Sequence, residues 1–199
     1  MRKRILVPLA LMVLAGLTLA ACGGGGSSAE SEITEVIETA ATTQDPSNCT
    51  EYATQRFNEQ NEQTQGAEAT SVCEEEEESQ EGSLTEKATV SNVSVEGEEA
   101  TAEVEFEGGK LTEQKLEVAL VEEEGQWKLD QIEGFAEYNG AALAGVFQET
   151  LDKESPEGLS EEQLTCIIGG ISEASAGEAE ELFFSGSKEP LEELAEECA

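Results

Sequence analysis

The segment from Thr85 to Glu133 leaves little choice of fold. Four strand-like runs, Thr85–Val95, Glu99–Glu107, Leu111–Glu122 and Gln126–Glu133, are separated by Gly97, Gly108-Gly109 and Gly125. Glycine at such short intervals between runs of this kind marks tight hairpins, because their turns need backbone conformations that only glycine adopts freely. In the second run Ala100, Ala102, Val104 and Phe106 alternate with Thr101, Glu103, Glu105 and Glu107. One face of that strand is therefore apolar and the other acidic. Leu116, Val118 and Leu120 alternate in the same way with Glu117, Ala119 and Val121. Val90 is out of phase with Val93 and Val95, which calls for a bulge in the first run. In the last run Trp127 and Leu129 share a face and Ile132 falls on the other. The result is an antiparallel meander.

The flanks follow a helical period. Ser31 can cap a helix on which Ile33, Val36, Ile37 and Ala40 recur at spacings of three and four. Asp45-Pro46 ends it, since the residue before proline avoids the helical region. A second helix is expected from Ser47 or Asn48 to about Gln60, with Tyr52, Arg56 and Phe57 on related turns. Residues 58–83 are polar, include the run Glu74 to Glu78, and predict a loop with one short helix carrying Cys73. Beyond Phe135 helices return through Leu143, Val146, Phe147, Thr150 and Leu151. Ser160-Glu-Glu-Gln163 and Ser175-Ala-Gly-Glu178 both fit capping boxes. Pro190 opens a last helix with Leu191, Leu194 and Cys198 on one face.

The N-terminus is of a different kind. Arg2, Lys3 and Arg4 precede an apolar run from Ile5 to Ala21, followed by Cys22. A basic head, an apolar stretch and small residues at its end make an export signal. Leu19-Ala20-Ala21-Cys22 resembles the lipobox of bacterial lipoproteins. The resemblance implies cleavage of residues 1–21, diacylglycerol on the Cys22 thiol, an acyl group on the new N-terminus, and a place on the extracytoplasmic face of the cell membrane. Residues 22–30, beginning with Gly23 to Gly26 and Ser27-Ser28, are expected to form a flexible tether.

Composition excludes several functions. The chain has 45 acidic and 10 basic residues, a formal charge of −35, and loss of Arg2, Lys3 and Arg4 with the leader makes the rest three charges more negative. Nucleic acid is therefore not an expected partner, since its binding depends on Lys and Arg neutralising phosphates. The charge favours solubility and self-repulsion, and salt would screen it. Histidine is absent, which removes imidazole-based hydrolysis and His-ligated zinc. With Cys22 lipidated, Cys49, Cys73, Cys166 and Cys198 remain and allow three pairings. The first two and the last two fall in different regions, so Cys49–Cys73 and Cys166–Cys198 are expected, as staples suited to an oxidising compartment.

Three features carry a further resemblance: Cys49-Thr-Glu-Tyr-Ala-Thr on the second helix, Ala88–Val95 leading into Ala100–Phe106, and Gly125-Gln-Trp127-Lys128-Leu129. Helices followed by these strands resemble the nuclear transport factor 2-like superfamily, a cone-shaped α+β fold. The resemblance covers residues 31–134. It implies N-terminal helices packed on a curved four-stranded antiparallel meander with a pocket at its open end, and a small all-α region follows over 135–199. Some members of the superfamily are isomerases, dehydratases or cyclases that use a base aspartate and tyrosine in an apolar pocket, and many others only bind or assemble.

Tyr52, Phe106, Trp127 and Asp130 are the candidate pocket residues. No residue set specifies a reaction, so no catalytic residue, metal ligand or cofactor is assigned. The run Glu74 to Glu78 reads as a solvated stretch, because a linear run does not converge on a cation. The expected function is a non-enzymatic, membrane-anchored module that binds a small apolar ligand or an envelope protein. Carboxylate-based proton transfer on a small apolar substrate is the first alternative, and would need a carboxyl group desolvated in an apolar pocket. An envelope assembly or spacer role is the second.

Overall fold

The computed structural model describes residues 26–79, 84–153, 160–187 and 189–198. The leader, Cys22 and the first residues of the tether lie outside them. Four helices come first: α1 (Gly26–Thr42), α2 (Asn48–Glu51), α3 (Gln55–Asn61) and α4 (Ala67–Ser79). Strands β1 (Lys87–Glu96), β2 (Glu99–Glu107), β3 (Lys115–Glu123) and β4 (Gln126–Glu137) follow, and then α5 (Gly140–Lys153), α6 (Glu161–Glu173), α7 (Ala176–Phe184) and α8 (Glu189–Glu197). The strands form one antiparallel sheet in the order β1-β2-β3-β4. The fold is α+β, with the helices before the sheet and a small helical region after it.

The turns follow from the glycines. Gly97 takes φ +75° at the first position of the two-residue β1–β2 turn. Glu124 and Gly125 both have positive φ between β3 and β4, and paired positive φ suits the twist of a two-residue hairpin. The bulge expected in β1 lies between Ser91 and Ser94, with Asn92 at φ 52°. Val90, Val93 and Val95 all pack on the core as a result.

Strand β4 is more irregular than its alternation suggests. Leu129 pairs with Leu120 but Gln131 with Ala119, which leaves Asp130 as an extra residue. Two further shifts make Glu133 and Ala136 extra. Each bulge bends the strand and raises its twist, so the sheet curves around the helices. The first also turns Ile132 inward, where it is 6% exposed, and corrects its expected outward placement. Trp127, Leu129 and Ile132 thus share one core with Ile33 and Ile37 of α1 and the inward residues of β2 and β3.

Two N-terminal expectations change. The tether was expected to reach Glu30, yet the chain is helical from Gly26. Ala29 packs on the core one turn before the buried Ile33, and this contact extends the helix backward. The second helix is split into α2 and α3. Tyr52 O accepts from Leu129 N, and Thr54 N donates to Leu129 O, both at 2.8 Å. The chain leaves the helix there to satisfy the free edge of β4, whose unpaired backbone groups need partners. The Thr54 hydroxyl then caps α3 by accepting from Phe57 N.

The same edge is closed at two more points. The Gln60 amide accepts from Ile132 N at 2.7 Å and donates to Ile132 O at 2.9 Å, so one side chain replaces a neighbouring strand. Glu180 of α7 accepts from Phe135 N at 2.9 Å. Phe135 also contacts Phe184, with ring centroids 5.0 Å apart, and Phe184 joins the main core. Leu143, Ala144, Ile167 and Ile171 form a second, smaller core. Both capping boxes are present, at Ser160–Gln163 and Ser175–Glu178. Disulfides join Cys49 to Cys73 and Cys166 to Cys198. The first ties α2 to α4, and the second ties the residue after α8 to α6.

Candidate functional site: an apolar cavity under the helices

Packing α1 and the α2–α4 segment over a curved sheet leaves a cavity of about 220 Å³. Ile37, Ala40 and Ala41 of α1 and Phe57 of α3 form its helical wall. Val104 and Phe106 of β2, Leu116 and Val118 of β3, and Leu129 and Ile132 of β4 form its floor. The small Ala40 and Ala41 stand opposite branched strand residues, so the two walls do not meet. The Cys49–Cys73 disulfide closes one side. Leu111, Thr85, Asn61, Glu77, Ala53, Asn48 and Asn58 also line it, and the cavity meets solvent at the exposed Asn61.

The uncharged polar groups of the lining are mostly committed to the fold. Asn58 is 2% exposed and donates to Cys49 O at 2.8 Å. Asn48 donates to Thr43 O at 3.1 Å. Glu77 differs, as the one ionisable side chain in the lining among the described residues. Its carboxylate accepts from Asp45 N at 3.0 Å. Burial pushes its pKa up and that hydrogen bond opposes the shift, with Glu76 and Asp45 adding smaller repulsions. Glu62 is raised as well, first by burial and then by Glu76.

The four candidate pocket residues are not brought together. Phe106 alone lines the cavity. Trp127 is 4% exposed and belongs to the core, while its outer side borders a separate surface groove with Tyr52, Glu32, Glu35 and Glu51. Asp130 is the extra residue of a bulge and points away from the core. Its carboxylate pairs with Arg56 at 2.8 Å and accepts from the Thr54 hydroxyl at 2.9 Å, while Arg56 also donates to Gln131. These bonds fasten α3 to β4 and hold Asp130 outside the apolar cavity.

The sequence hides Glu77 inside the run Glu74 to Glu78. That run is not a loop: α4 extends through it to Ser79. A helix fans consecutive side chains around its axis, so five adjacent glutamates do not share an environment. Glu77 follows Cys73 by four residues and lies on the same helical face, so the disulfide that fixes Cys73 also aims Glu77. Among the described residues no group of three or more carboxylates or cysteines is arranged to hold a metal ion. No helix among them is long and apolar enough to cross a membrane.

No known protein family, curated protein or solved structure matches the chain.

Proposed function

We propose that this chain is a lipid-anchored module on the outer face of a membrane, and that its body binds one small, mainly apolar molecule. The observation that carries the binding reading is the cavity of about 220 Å³ between α1 and the sheet. Ligand sites are typically concave and apolar with a few placed polar groups, and this cavity has that balance. Its size sets the scale of the ligand. A cavity of roughly 150 Å³ takes benzene, so this one suits a molecule of about nine or ten non-hydrogen atoms. The order of elements supports membership of the nuclear transport factor 2-like superfamily, in which a helix-covered, curved meander encloses the ligand. The anchor reading rests on the basic head, the apolar run and Leu19-Ala20-Ala21-Cys22. Asp130 lies outside the cavity lining, which weakens the enzymatic alternative, and the spacer alternative gives no account of a core whose side chains leave about 220 Å³ between them.

Titration of the purified protein with neutral 2-phenylethanol, followed by methyl NMR, tests the binding reading. Saturable shifts at Ile37, Val104, Val118 and Ile132 are expected, and shifts that never saturate refute it. The anchor is tested by Cys22→Ala, which is expected to leave the protein uncleaved or released from the membrane. Unchanged cleavage with unchanged membrane retention refutes that part.

A further inference from the structure

We infer that the ligand of this cavity carries a positively charged amine at one end, and that Glu77 selects it. The inference rests on the binding reading above and adds the chemical class of the ligand. Every other lining residue among those described is apolar, an uncharged polar residue or part of the disulfide. Among the described residues, a ligand entering the cavity therefore meets one ionisable group in the lining, and that group is an acid.

The position of the carboxylate is built into the fold. Glu77 lies one helical turn beyond Cys73, whose disulfide partner Cys49 also lines the cavity. The bond from Asp45 N, 3.0 Å long, holds one carboxylate oxygen. A carboxylate has about four acceptor directions over its two oxygens, so a bound ammonium group can be accepted alongside that bond. Partial burial makes the carboxylate harder to ionise, as does repulsion from Glu76 and Asp45. A cation arriving beside it relieves both effects. Glu62 lies beside the mouth, where Asn61 donates to its carboxylate at 3.0 Å; burial and then Glu76 raise its pKa, the Asn61 bond and Lys110 oppose the shift, and Glu77 adds a smaller repulsion. A carboxylate ligand of the same size would meet repulsion from this rim. A neutral alcohol would gain a hydrogen bond without the charge. A primary amine on a short aromatic or aliphatic body fits both the apolar walls and the rim.

The competing explanation is that Glu77 only receives Asp45 N and anchors the loop before α2. Glu77→Gln separates the two roles, because the amide oxygen can still accept from Asp45 N while the charge is gone. The experiment compares phenethylamine, 2-phenylethanol and phenylacetate as ligands of the purified protein. Calorimetric titration at pH 7 in about 0.15 M salt confines electrostatics to a Debye length near 8 Å. The native chain is expected to prefer the amine over the alcohol by about tenfold, as suits one charge-assisted contact at a partly exposed site, and to bind phenylacetate more weakly than either. In Glu77→Gln the amine-to-alcohol ratio is expected to fall to about one. Glu76→Gln removes an equal charge from a side chain outside the lining, and is expected to keep the ratio within about twofold of native. Methyl spectra of the free variants establish that each is folded. Equal binding of amine and alcohol by the native chain overturns the inference and leaves the cavity reading standing. So does a preference that survives Glu77→Gln, since general attraction to an acidic protein would then be its cause. Saturable binding by none of the three overturns both.

Discussion

Replacing Gln60 with alanine tests how much of the fold depends on one side chain acting as a strand. The Gln60 amide makes three hydrogen bonds: from Ile132 N at 2.7 Å, to Ile132 O at 2.9 Å and to Phe184 O at 2.9 Å. A bond of this type contributes about 1 kcal/mol net, and losing one partner leaves the other to be resolvated. Gln60 is half-buried, so water recovers part of the loss, and Gln60→Ala is expected to cost about 2–3 kcal/mol. For a chain of this size that lowers the melting temperature by roughly 5–10 °C. Urea is the right denaturant, because guanidinium would also screen the acidic surface. The midpoint should fall while the slope with denaturant stays the same. Gln60→Glu sharpens the test, since at neutral pH a carboxylate oxygen would face two carbonyl oxygens and destabilise at least as much. That carboxyl would titrate above its unfolded value. Its stability would be present below the unfolded pKa and lost as pH rises through the folded one, so the variant should recover on acidification. A loss below about 1 kcal/mol for Gln60→Ala would mean that this edge of β4 is held by Tyr52, Thr54 and Glu180 alone.

Three further outcomes are expected. Replacing Cys166 and Cys198 by serine removes a link across 32 residues, worth about 3–4 kcal/mol in the chain-entropy model. Because α8 has no buried residue, hydrogen exchange should rise across α8 while sheet amides stay protected, and unchanged exchange in α8 refutes this. Glu62 titrates above its ordinary 4.5, first through burial and then through Glu76. The stability it permits is full below that value and lost as pH rises through the raised one, so Glu62→Gln should be more stable than native at pH 7, with the gap closing toward pH 5 in paired urea titrations. A gap that widens on acidification reverses the argument. Finally, with a formal charge of −35, the melting temperature should rise between low and molar sodium chloride, and equal midpoints would show that the glutamates are too well solvated to repel one another.

Where local chemistry decided the outcome, the sequence was readable. Alternation in β2 placed Val104 and Phe106 inward, the phase slip among Val90, Val93 and Val95 located the β1 bulge, and both capping boxes formed at their serines. What was missed depended on contacts between distant segments. The spacing of Leu129 and Ile132 reads as opposite faces until Asp130 is known to bulge out toward Arg56 and Thr54. The break after α2 exists because β4 needs a neighbour at Leu129, which lies far along the chain from Tyr52. Phe106 lies in the cavity lining, whereas Tyr52, Trp127 and Asp130 lie elsewhere. Glu77 could have been found by continuing the helical phase from Cys73, but the surrounding glutamates hid it.

The closure of β4 also has an order in time. Tyr52, Thr54 and Gln60 precede the strand in the chain and are made before it, whereas Glu180 and Phe184 follow it. The bond from Gln60 to Phe184 spans 124 positions. A chain emerging from its N-terminus can therefore complete the sheet and seal β4 at Leu129 and Ile132 while Phe135 is still bare. Until α7 arrives, that end of the strand offers an open backbone edge next to an uncovered aromatic ring, the combination that invites pairing with another chain. Glu103, Glu105 and Glu117 on the outer face of the sheet would repel a second copy of this acidic chain at that stage, because like charges oppose association.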